Sequence, residues 1–551
     1  MREGSLEAPT RHPLDWQNPE FYDEEKLNSE LERVFDICHG CRRCVSLCDA
    51  YPTLFDLVDE SSTMEVDGVA KEDFGKVVDQ CYLCDLCYQT KCPYVPPHEW
   101  AVDFPHLMLR AKAIQFRKGE RKLSHKLLSN TRLQGAVGTL PVVSSALNAG
   151  NRSKAVRKVM AKAMDLHPDA HLPEFHSDTL RRRTKAHEPV QASVKPAEPT
   201  RGKVALFATC YCNVNTPDIG QDLIRVLEHN GIPVRLTAKE TCCGMPKLEQ
   251  GDLATVDKYR RQNIPELARL VDEGWDIVAA IPSCVLMFKQ ELPLMYPDDP
   301  DVQKVKAHMF DPFEYLMHRH KAGLFNEEFK QPLGKVVWQV PCHQRVQNIG
   351  TKTRDVLALV PETTVEMIER CSGHDGTYGV RSGTYEKSQK IARPVVSRVK
   401  RMEPDYLVSD CPMAATQIAD NLDLPNEESS PLTILRKAYG GAYLVMNSKH
   451  IRSDVNYAWP TAEVAVLGPK GAAEVIYKKE IAAADDPKQA LEQHTEAYRS
   501  MFANPFIAAK RGYIDDVIFP RETRVRLIRS LQFLEGKTMT RPSRKHGNIP
   551  L

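Results

Sequence analysis

The sequence contains no run of about 18 or more apolar residues, the length that a helix needs to cross a bilayer. Residues 1–30 lack the apolar core of a secretory signal. The formal net charge is only +1, so no overall field favours nucleic acid or an anionic surface as a partner. We therefore expect a cytoplasmic chain without a membrane span and without a nucleic acid partner.

Cysteine, in contrast, is abundant in the chain, with 16 among 551 residues. Clustered cysteines without an export signal indicate metal binding in a reducing compartment. Eight of them lie in two runs, each with three cysteines at two-residue gaps followed by a fourth. The runs are Cys38, Cys41, Cys44 and Cys48, then Cys81, Cys84, Cys87 and Cys92, the last followed by Pro93.

This spacing is typical of a chain that wraps a [4Fe–4S] cube, because a tight loop reaches three iron corners and a distant thiolate takes the fourth. In two-cluster ferredoxins the fourth cysteine of each run binds the other cluster. Structural zinc, the alternative, prefers two separated cysteine pairs, so two runs of three would leave two thiols unused. The rule predicts a first cysteine set of Cys38, Cys41, Cys44 and Cys92, and a second cysteine set of Cys81, Cys84, Cys87 and Cys48.

The residues around the two runs differ in composition. Residues 1–30 predict a polar, partly ordered N-terminal arm, and residues 31–105 a double [4Fe–4S] ferredoxin-like domain. Residues 106–165 are basic and helical in pattern. They suit either a peripheral membrane-surface element or a helical hairpin over the cluster module, and the Gly and Pro breaks in the apolar face favour the hairpin. Residues 181–202 are charged and Pro-rich, which indicates a linker, so 106–202 separates two domains.

Two α/β lobes are predicted next, at residues 203–330 and 331–434, because a strand–helix–strand order occurs twice. Thr216 and Pro217 begin a helix that Gly231 ends. Each lobe should hold a mostly parallel sheet, and cysteines at strand ends should converge in the crevice between the lobes. The predicted strands are 203–209, 232–236, 276–281, 335–340 and 406–409.

The remaining eight cysteines all lie in these lobes. Their placement suits a further cluster or a redox-active thiol site, and the alternative is buried thiols without a metal. His343 and His374, near these cysteines, are either proton donors or core histidines, and core histidines are the commoner case. Lobe 1 contributes Cys210, Cys212, Cys242, Cys243 and Cys284, and lobe 2 contributes Cys342, Cys371 and Cys411.

Over about residues 31–435, the eight-cysteine module followed by two Cys-Cys-Gly lobes resembles one iron–sulfur subunit family. Its members are the iron–sulfur subunits of anaerobic glycerol-3-phosphate dehydrogenase, glycolate oxidase and heterodisulfide reductase. The resemblance implies that two [4Fe–4S] clusters take electrons from a flavoprotein dehydrogenase subunit. It also implies that the lobes hold a further cluster or the site that passes electrons to a quinone or a disulfide.

The lobe pattern of this family is a Cys, then Cys-Cys-Gly, then Cys-x-x-Cys. Lobe 1 keeps Cys210, Cys242, Cys243 and Cys284, with Met287 at the last cysteine position. Lobe 2 keeps Cys342, Cys371 and Cys411, with Ser372 and Ala414 in place of cysteines. The resemblance therefore implies a possible lobe 1 cluster and a reduced lobe 2 site. Lys91 lengthens the last gap of the second cysteine run.

Residues 435–551 are similar to the C-terminal end of an acyl-CoA (propionyl-CoA) carboxylase carboxyltransferase β subunit, at 436–443, 457–468, 511–518 and 545–551. This implies a partial crotonase-like α/β segment in which Gly441 and Ala442 offer backbone N–H groups to an oxyanion. The acyl-CoA lobe has no counterpart, so we expect no carboxyltransferase activity. The join at 435–440 suits both families, which indicates a recombination or assembly chimera.

The sequence thus predicts a mixed, multidomain fold: a mainly helical ferredoxin-like domain, two repeated α/β lobes and a partial crotonase-like segment. An iron–sulfur electron-transfer subunit is the leading interpretation of its function. A biotin-dependent carboxyltransferase fragment and a scaffold that carries clusters for stability are the alternatives.

Overall fold

The computed structural model describes residues 9–90, 92–238, 240–374, 376–422, 429–439, 455–460, 477, 480–481, 486–502, 505–510 and 514–536. The chain divides into two compact units. Unit 1 comprises residues 1–327 and 332–436, and unit 2 comprises 328–331 and 437–551. Within the described residues, no helix has the length and apolar character that a membrane crossing requires.

The module that carries the eight clustered cysteines is mainly helical, as predicted. Its core is aromatic: the Phe35 ring meets Phe74 edge-on at 5.1 Å between centroids, and Tyr51 stacks on Phe104 at 4.9 Å. Its α-helices are Glu24–Cys41, Ala50–Asp59, Phe74–Gln80, Leu86–Thr90 and Phe104–Arg117, with 3₁₀ turns at Pro19–Tyr22, Val66–Gly68 and Lys71–Asp73.

The N-terminal arm, predicted to be polar and partly ordered, packs against the rest of unit 1 over the residues described from 9 onward. The amide of Thr10 donates to the carbonyl of Pro96 at 3.0 Å, and that of Leu14 donates to Leu294 at 2.8 Å. Trp16 is buried, with its ring 6.0 Å from that of Tyr296. A few apolar anchors and backbone hydrogen bonds therefore hold a segment of polar composition in place.

The basic segment is helical, as predicted, but it forms a series of short helices in place of one hairpin. The predicted linker that follows is docked, because Arg181 Nη1 donates to the carbonyl of Thr237 at 2.8 Å and Arg319 Nη1 donates to that of Lys195 at 2.6 Å. The helices are Leu123–Leu128, Thr131–Gly138, Pro141–Arg152, Lys154–Met164 and Leu180–Arg183.

Lobe 1 contains a parallel four-stranded sheet in the order β2–β1–β3–β4. Its strands are β1 (Val204–Leu206), β2 (Val234–Leu236), β3 (Asp276–Val278) and β4 (Met309–Phe310), of which only β4 was not predicted. Thr216 precedes the helix Pro217–His229, with Gly231 at φ 68° after it. The helices are Cys210–Val214, Pro217–His229, Met245–Leu248, Leu253–Asp272, Pro282–Leu286, Leu292–Met295, Pro300–Ala307 and Pro312–Lys321, with a π-turn at Met287–Glu291.

Lobe 2 contains a parallel three-stranded sheet in the order β6–β5–β7. Its strands are β5 (Gly334–Gln339), β6 (Thr363–Ile368) and β7 (Tyr406–Val408), and β6 was not predicted. Val337 and Ile368 of the sheet pack with Val395, Val399 and Ile418 of the covering helices. The helices are Cys342–Arg345, Lys352–Leu357, Tyr385–Met402, Pro412–Asp420 and Pro431–Ala438, with a 3₁₀ turn at Tyr378–Val380.

Unit 2 is described in parts. Strands β8 (Tyr457–Ala458) and β9 (Asp516–Val517) pair in parallel, and Ala458 and Ile514 are buried beside them. Gly441 and Ala442 lie outside the described residues. The helices are Pro487–Phe502, Pro505–Lys510 and Thr523–Leu534, with a 3₁₀ turn at Pro520–Glu522.

Candidate functional site

The first cysteine set lines a single cavity of about 440 Å³, its open side included. Arg42 caps the C-terminus of helix Glu24–Cys41 and has a left-handed backbone (φ 50°). The chain turns there, so that Cys44 lines the same cavity as Cys38 and Cys41. Rings complete the wall, including Tyr51, Tyr88, Tyr94 and Phe104. Four thiols around one largely apolar cavity suit a cluster that takes one thiolate at each iron corner.

The electrostatics of the first cysteine set also suit a cation. Burial, followed by the neighbouring thiols of Cys92, Cys44 and Cys41, raises the pKa of Cys38 well above its ordinary value. A bound metal deprotonates such thiols and compensates their charge. Among the described residues, no three Cys, His, Asp or Glu side chains are grouped as a site for a single metal ion.

The second cysteine set adjoins the first. Burial, followed by the neighbouring thiols of Cys81 and Cys84, raises the pKa of Cys48. The end of the first cysteine run therefore lies against the second run. Leu83 (φ 58°) and Asp85 (φ 61°) have left-handed backbones, so the loop that carries Cys81 and Cys84 winds tightly. Cys87 belongs to the second set and also lines the cavity of the first, so the two sets share a wall.

Lobe 2 brings two cysteines to the second set. The neighbouring thiols of Cys371 and Cys84, followed by burial, raise the pKa of Cys342 well above its ordinary value. The hydroxyl oxygen of Tyr82 lies 3.4 Å from Cys371 Sγ, and the amide of Gly373 donates to that sulfur at 3.3 Å. Against the effect of burial, hydrogen bonds from Cys342 first, and also from Tyr82 and Gly373, lower the pKa of Cys371 to about 7.

Lobe 1 forms a separate group. Cys210 is hydrogen-bonded to Cys242, Cys242 to Cys243, and Cys243 to Cys284, so these four thiols make a continuous chain of contacts. We call them the lobe 1 group. Cys212 is not part of this chain, and its sulfur accepts from Thr216 Oγ1 at 4.0 Å.

The strand ends that carry the lobe cysteines meet, but the thiols fall into two groups, with Cys342 and Cys371 beside the second cysteine set. Lobe 2 packs directly on the cluster module: the Tyr378 hydroxyl donates to Gln80 Oε1 at 2.9 Å, and the Tyr82 and Tyr378 rings are 5.1 Å apart. This packing brings Cys342 and Cys371 to the module. Cys411 lies elsewhere, near Tyr211 of lobe 1, whose pKa is raised first by burial and then by that thiol.

The Cys-Cys-Gly element of lobe 1 and its lobe 2 counterpart both contain a glycine with a positive φ angle. Gly244 has φ 109° and Gly373 has φ 80°, a region that side chains disfavour. A Cβ on Gly373 would also lie 2.1 Å from the carbonyl oxygen of Ser388. Met287, at the last cysteine position of lobe 1, is buried, with its Cε 3.4 Å from a Cβ built on Gly244. Thioether packing therefore occupies the place of the fifth cysteine of the family pattern.

A buried ion cluster joins the arm, the module and lobe 1. The Arg11 guanidinium binds Asp85, lies 2.9 Å from Asp103 and 3.7 Å from Glu291. His106 Nε2 lies 3.4 Å from Glu291. Although burial and Arg11 act in the opposite direction, Asp103 and Glu291 raise the pKa of His106 to about 9. The sequence pattern missed this cluster because its members are far apart in the chain.

The two histidines near the lobe cysteines are neutral. His343 Nδ1 lies 2.9 Å from Ser283 Oγ, so the cysteine-bearing ends of β3 and β5 meet there. Burial lowers the pKa of His343, and it lowers that of His374 to about 4. Neither is an imidazolium at neutral pH, as expected for core histidines. Tyr82 was not identified from the sequence as a functional residue, because its partner Cys371 is distant in the chain. Its position between Cys81 and Cys84 was the one signal in the sequence.

Two family models match the chain. Residues 204–289 and 336–419 match the cysteine-rich domain, and residues 430–549 match the carboxyl transferase domain. Over 339 residues the chain is 29% identical to the C-subunit of the anaerobic glycerol-3-phosphate dehydrogenase of Escherichia coli K12, covering 60% of this chain and 81% of that protein. This match spans most of unit 1.

The tail matches other proteins. It is 56% identical over 128 residues to the propionyl-CoA carboxylase carboxyltransferase subunit of Haloferax mediterranei, covering 23% of this chain and 25% of that subunit. It is 55% identical over 118 residues to the propionyl-CoA carboxylase beta chain of Roseobacter denitrificans, covering 21% and 22%. The chain thus spans about a quarter of the length of these relatives.

A solved transcarboxylase 12S structure with methylmalonyl-coenzyme A and methylmalonic acid bound is 47% identical over 20% of this chain and 22% of that one, with a TM-score of 0.19. The likeness is therefore one of sequence over a short segment. The chain is a chimera: it carries two cysteine-rich domains in a region homologous to the C-subunit of anaerobic glycerol-3-phosphate dehydrogenase, followed by part of a carboxyl transferase domain homologous to propionyl-CoA carboxylase β chains.

Proposed function

We propose that the chain is an electron-transfer subunit that holds two [4Fe–4S] clusters, one on each cysteine set. When bound, the clusters supply one-electron transfer at low potential. The observation that carries this proposal is the single cavity lined by Cys38, Cys41, Cys44 and Cys92, four thiols drawn from both cysteine runs. The exchange of fourth cysteines between runs is the ligand rule of two-cluster ferredoxins.

The chain's own side chains define a route across unit 1. Cys87 forms part of the wall of the first cavity, so it links the two cysteine sets. At the far side, Cys84 contacts Cys342 of lobe 2. Lys112 donates a hydrogen bond to the carbonyl oxygen of Cys81 and places a cation beside the second set. Cys81, Cys84 and Cys87 of the second set are buried, which limits the access of water to that part of the route.

The partner that supplies electrons is a flavoprotein dehydrogenase subunit in this proposal. Support comes from the match to the glycerol-3-phosphate dehydrogenase C-subunit, of which 81% is covered. A quinone or a disulfide is the acceptor class. The lobe 1 group has four neighbouring thiols, Cys210, Cys242, Cys243 and Cys284, and this donor set fits a third cluster.

A peripheral contact with an anionic bilayer belongs to the same proposal. Residues 121–164 contain nine Lys or Arg residues and no Asp or Glu. Their helices also leave large apolar side chains in water, with Val142 83% and Val159 67% exposed. Apolar side chains beside a mostly basic surface, on which Arg121, Lys122 and Arg152 pair with acidic neighbours, fit the boundary between acyl chains and anionic headgroups. The other exposed apolar residues here are Leu123, Leu127, Leu133, Val137, Leu140, Leu147 and Val156.

A carboxyltransferase fragment is the second candidate function, and the match at residues 430–549 favours it. The oxyanion-type pair proposed for this function is Gly441 and Ala442. The tail covers only 22–25% of its relatives. Helix Thr523–Leu534 exposes Val525, Ile528 and Leu531, which lie three residues apart on one face. Such an apolar face suits a domain whose packing partner lies in the part that has no counterpart here.

Iron and acid-labile sulfide analysis of the anaerobically purified chain tests the proposal. We expect a brown protein with about eight iron and eight sulfide per chain from two clusters, and about twelve of each if the lobe 1 group is also loaded. A colourless protein that carries zinc would refute it. Transfer of a carboxyl group from carboxybiotin to propionyl-CoA should be absent, and its detection would favour the second candidate.

A further inference from the structure

We propose that Cys342 and Cys371 form a redox-active dithiol–disulfide pair at the end of the electron route, and that they are not cluster ligands. The inference rests on the proposed function only for the source of its electrons. The pair would pass these electrons to an external disulfide of the small-thiol class.

Contact between the two sulfurs is the first support. Cys342 follows strand β5 and Cys371 follows strand β6, and these strands are adjacent and parallel, so the sulfurs meet at one edge of the sheet. The two thiols are neighbours, and each acts on the ionisation of the other. Both cysteines are reduced in this structure, and Cys342 is the more exposed of the two. A thiol pair in contact at strand ends is positioned to form and break a disulfide bond.

The second support is the set of donors at Cys371. The Tyr82 hydroxyl at 3.4 Å and the Gly373 amide at 3.3 Å both lie within hydrogen-bond distance of its sulfur. Two donors aimed at one buried sulfur stabilise negative charge there. The reduced state of the pair can therefore hold one thiolate without a metal.

The third support is the incomplete donor set of lobe 2. Ser372 and Ala414 stand at two of the family's cysteine positions, and both are buried. Cys411 lies near Tyr211 and not with the pair. The lobe 1 group provides four neighbouring thiols, whereas the cysteines beside the lobe 2 pair, Cys84 and Cys48, are already used by the second cysteine set. Two spare thiolates do not supply the four that a cluster needs.

The chemistry balances as a thiol–disulfide exchange followed by re-reduction. Cys342 Sγ attacks one sulfur of the external disulfide, and the first thiolate leaves. Cys371 Sγ then attacks Cys342 Sγ, so that the internal S–S bond forms and the second thiolate leaves. The two cysteine protons neutralise the two released thiolates. Two electrons, delivered singly past Cys84 from the flavoprotein, and two protons from solvent then cleave the internal bond and restore both thiols.

Mass spectrometry of the full chain tests the pair directly. The anaerobic chain is treated with 4,4′-dithiodipyridine, its remaining thiols are alkylated, and it is digested without a reductant. We expect a peptide joined through Cys342 and Cys371 that disappears after dithionite treatment. In Cys371→Ser, Cys342 should instead retain the thiopyridyl group, because the resolving sulfur is missing. The matched control Cys212→Ser should form the same cross-linked peptide as the wild type.

Metal content separates this inference from the proposed function. Cys342→Ser and Cys371→Ser should keep the wild-type iron and sulfide content, since neither residue is a ligand. Loss of iron in either variant, or absence of the cross-linked peptide in the wild type, would overturn the inference while leaving the two cysteine sets as cluster sites. A wild type without iron that still forms the cross-link would refute the proposed function and support the pair.

Discussion

The hydroxyl oxygen of Tyr82 lies 3.4 Å from the sulfur of Cys371, although 289 positions separate the two residues in the chain. Tyr82 stands between Cys81 and Cys84 of the second cysteine set, and Cys371 belongs to lobe 2. One hydrogen bond therefore connects the cluster module to the repeated lobes. In the proposed electron route, electrons would leave the module on the side where this contact lies.

Removing that hydroxyl should change the redox balance of the lobe 2 pair. In Tyr82→Phe the reduced state loses one donor to Cys371, a loss of about 1 kcal/mol. The midpoint potential of the pair should fall by about 20 mV, because about 30 mV corresponds to 1.4 kcal/mol for two electrons. Thiol labelling in buffers of defined dithiothreitol potential measures it. Tyr88→Phe is the control, since that hydroxyl donates to the carbonyl of Thr10.

The clusters on the two cysteine sets should be lost independently of each other when a ligand is replaced. Cys44→Ser removes a thiol of the first set and Cys84→Ser one of the second, so each variant should lose about four iron atoms and one of two reduced-state EPR signals. Cys212→Ser should keep both signals, because Cys212 belongs to neither set. Survival of both signals in either ligand variant would show that the ligand assignment is wrong.

Arg11 should be essential for stability. Its guanidinium is buried against Asp85, Asp103 and Glu291, so Arg11→Met leaves an excess of buried negative charge. Breaking a buried ion network in this way costs about 3–5 kcal/mol of unfolding free energy. Urea denaturation followed by circular dichroism measures the loss. Arg33→Met, which removes a half-exposed pair with Glu30 and a hydrogen bond to the carbonyl of Trp100, should cost about 1 kcal/mol.

His106 should make the stability of the fold depend on pH. Its pKa of about 9 in the folded chain exceeds its ordinary value of 6.5, so its protonation stabilises the fold fully below pH 6.5. This contribution, about 3 kcal/mol at most, is lost as the pH rises from 6.5 to about 9. Urea midpoints across that range should fall in the wild type and fall less in His106→Asn. Equal slopes in the two proteins would contradict the prediction.

The basic helices should direct binding to anionic membranes. Val142→Asp or Val159→Asp places a charge where an apolar side chain would enter the acyl boundary, so affinity for phosphatidylserine vesicles should fall about tenfold or more. Co-sedimentation with vesicles measures it. Val194→Asp is the matched control, since Val194 is 41% exposed but lies outside these helices. Equal binding of the wild type to pure phosphatidylcholine vesicles would contradict an electrostatic contribution.

Much of the local structure follows from the sequence, for identifiable reasons. Thr216 and Pro217 start a helix where the structure has one, because a proline at the first turn loses no hydrogen bond. The strands before Cys210, Cys284 and Cys342 were found because their apolar runs are continuous. Strands β4 and β6 were missed: β4 has two residues, and β6 alternates threonine and charged residues with apolar ones.

The spacing of the cysteines determined by itself which thiols belong to one loop, since two-residue gaps are a local geometric requirement. The resemblance of longer motifs to known families located the Cys-Cys-Gly element of lobe 1, its Cys-Ser-Gly counterpart in lobe 2 and the tail. Only the tertiary structure decided which distant residues meet. The packing of lobe 2 on the module brings Cys342 to Cys84 and Cys371 to Tyr82. The folded arm likewise brings Arg11 to three carboxylates. Such contacts depend on how whole elements bury their apolar faces, and no local pattern in the chain encodes that.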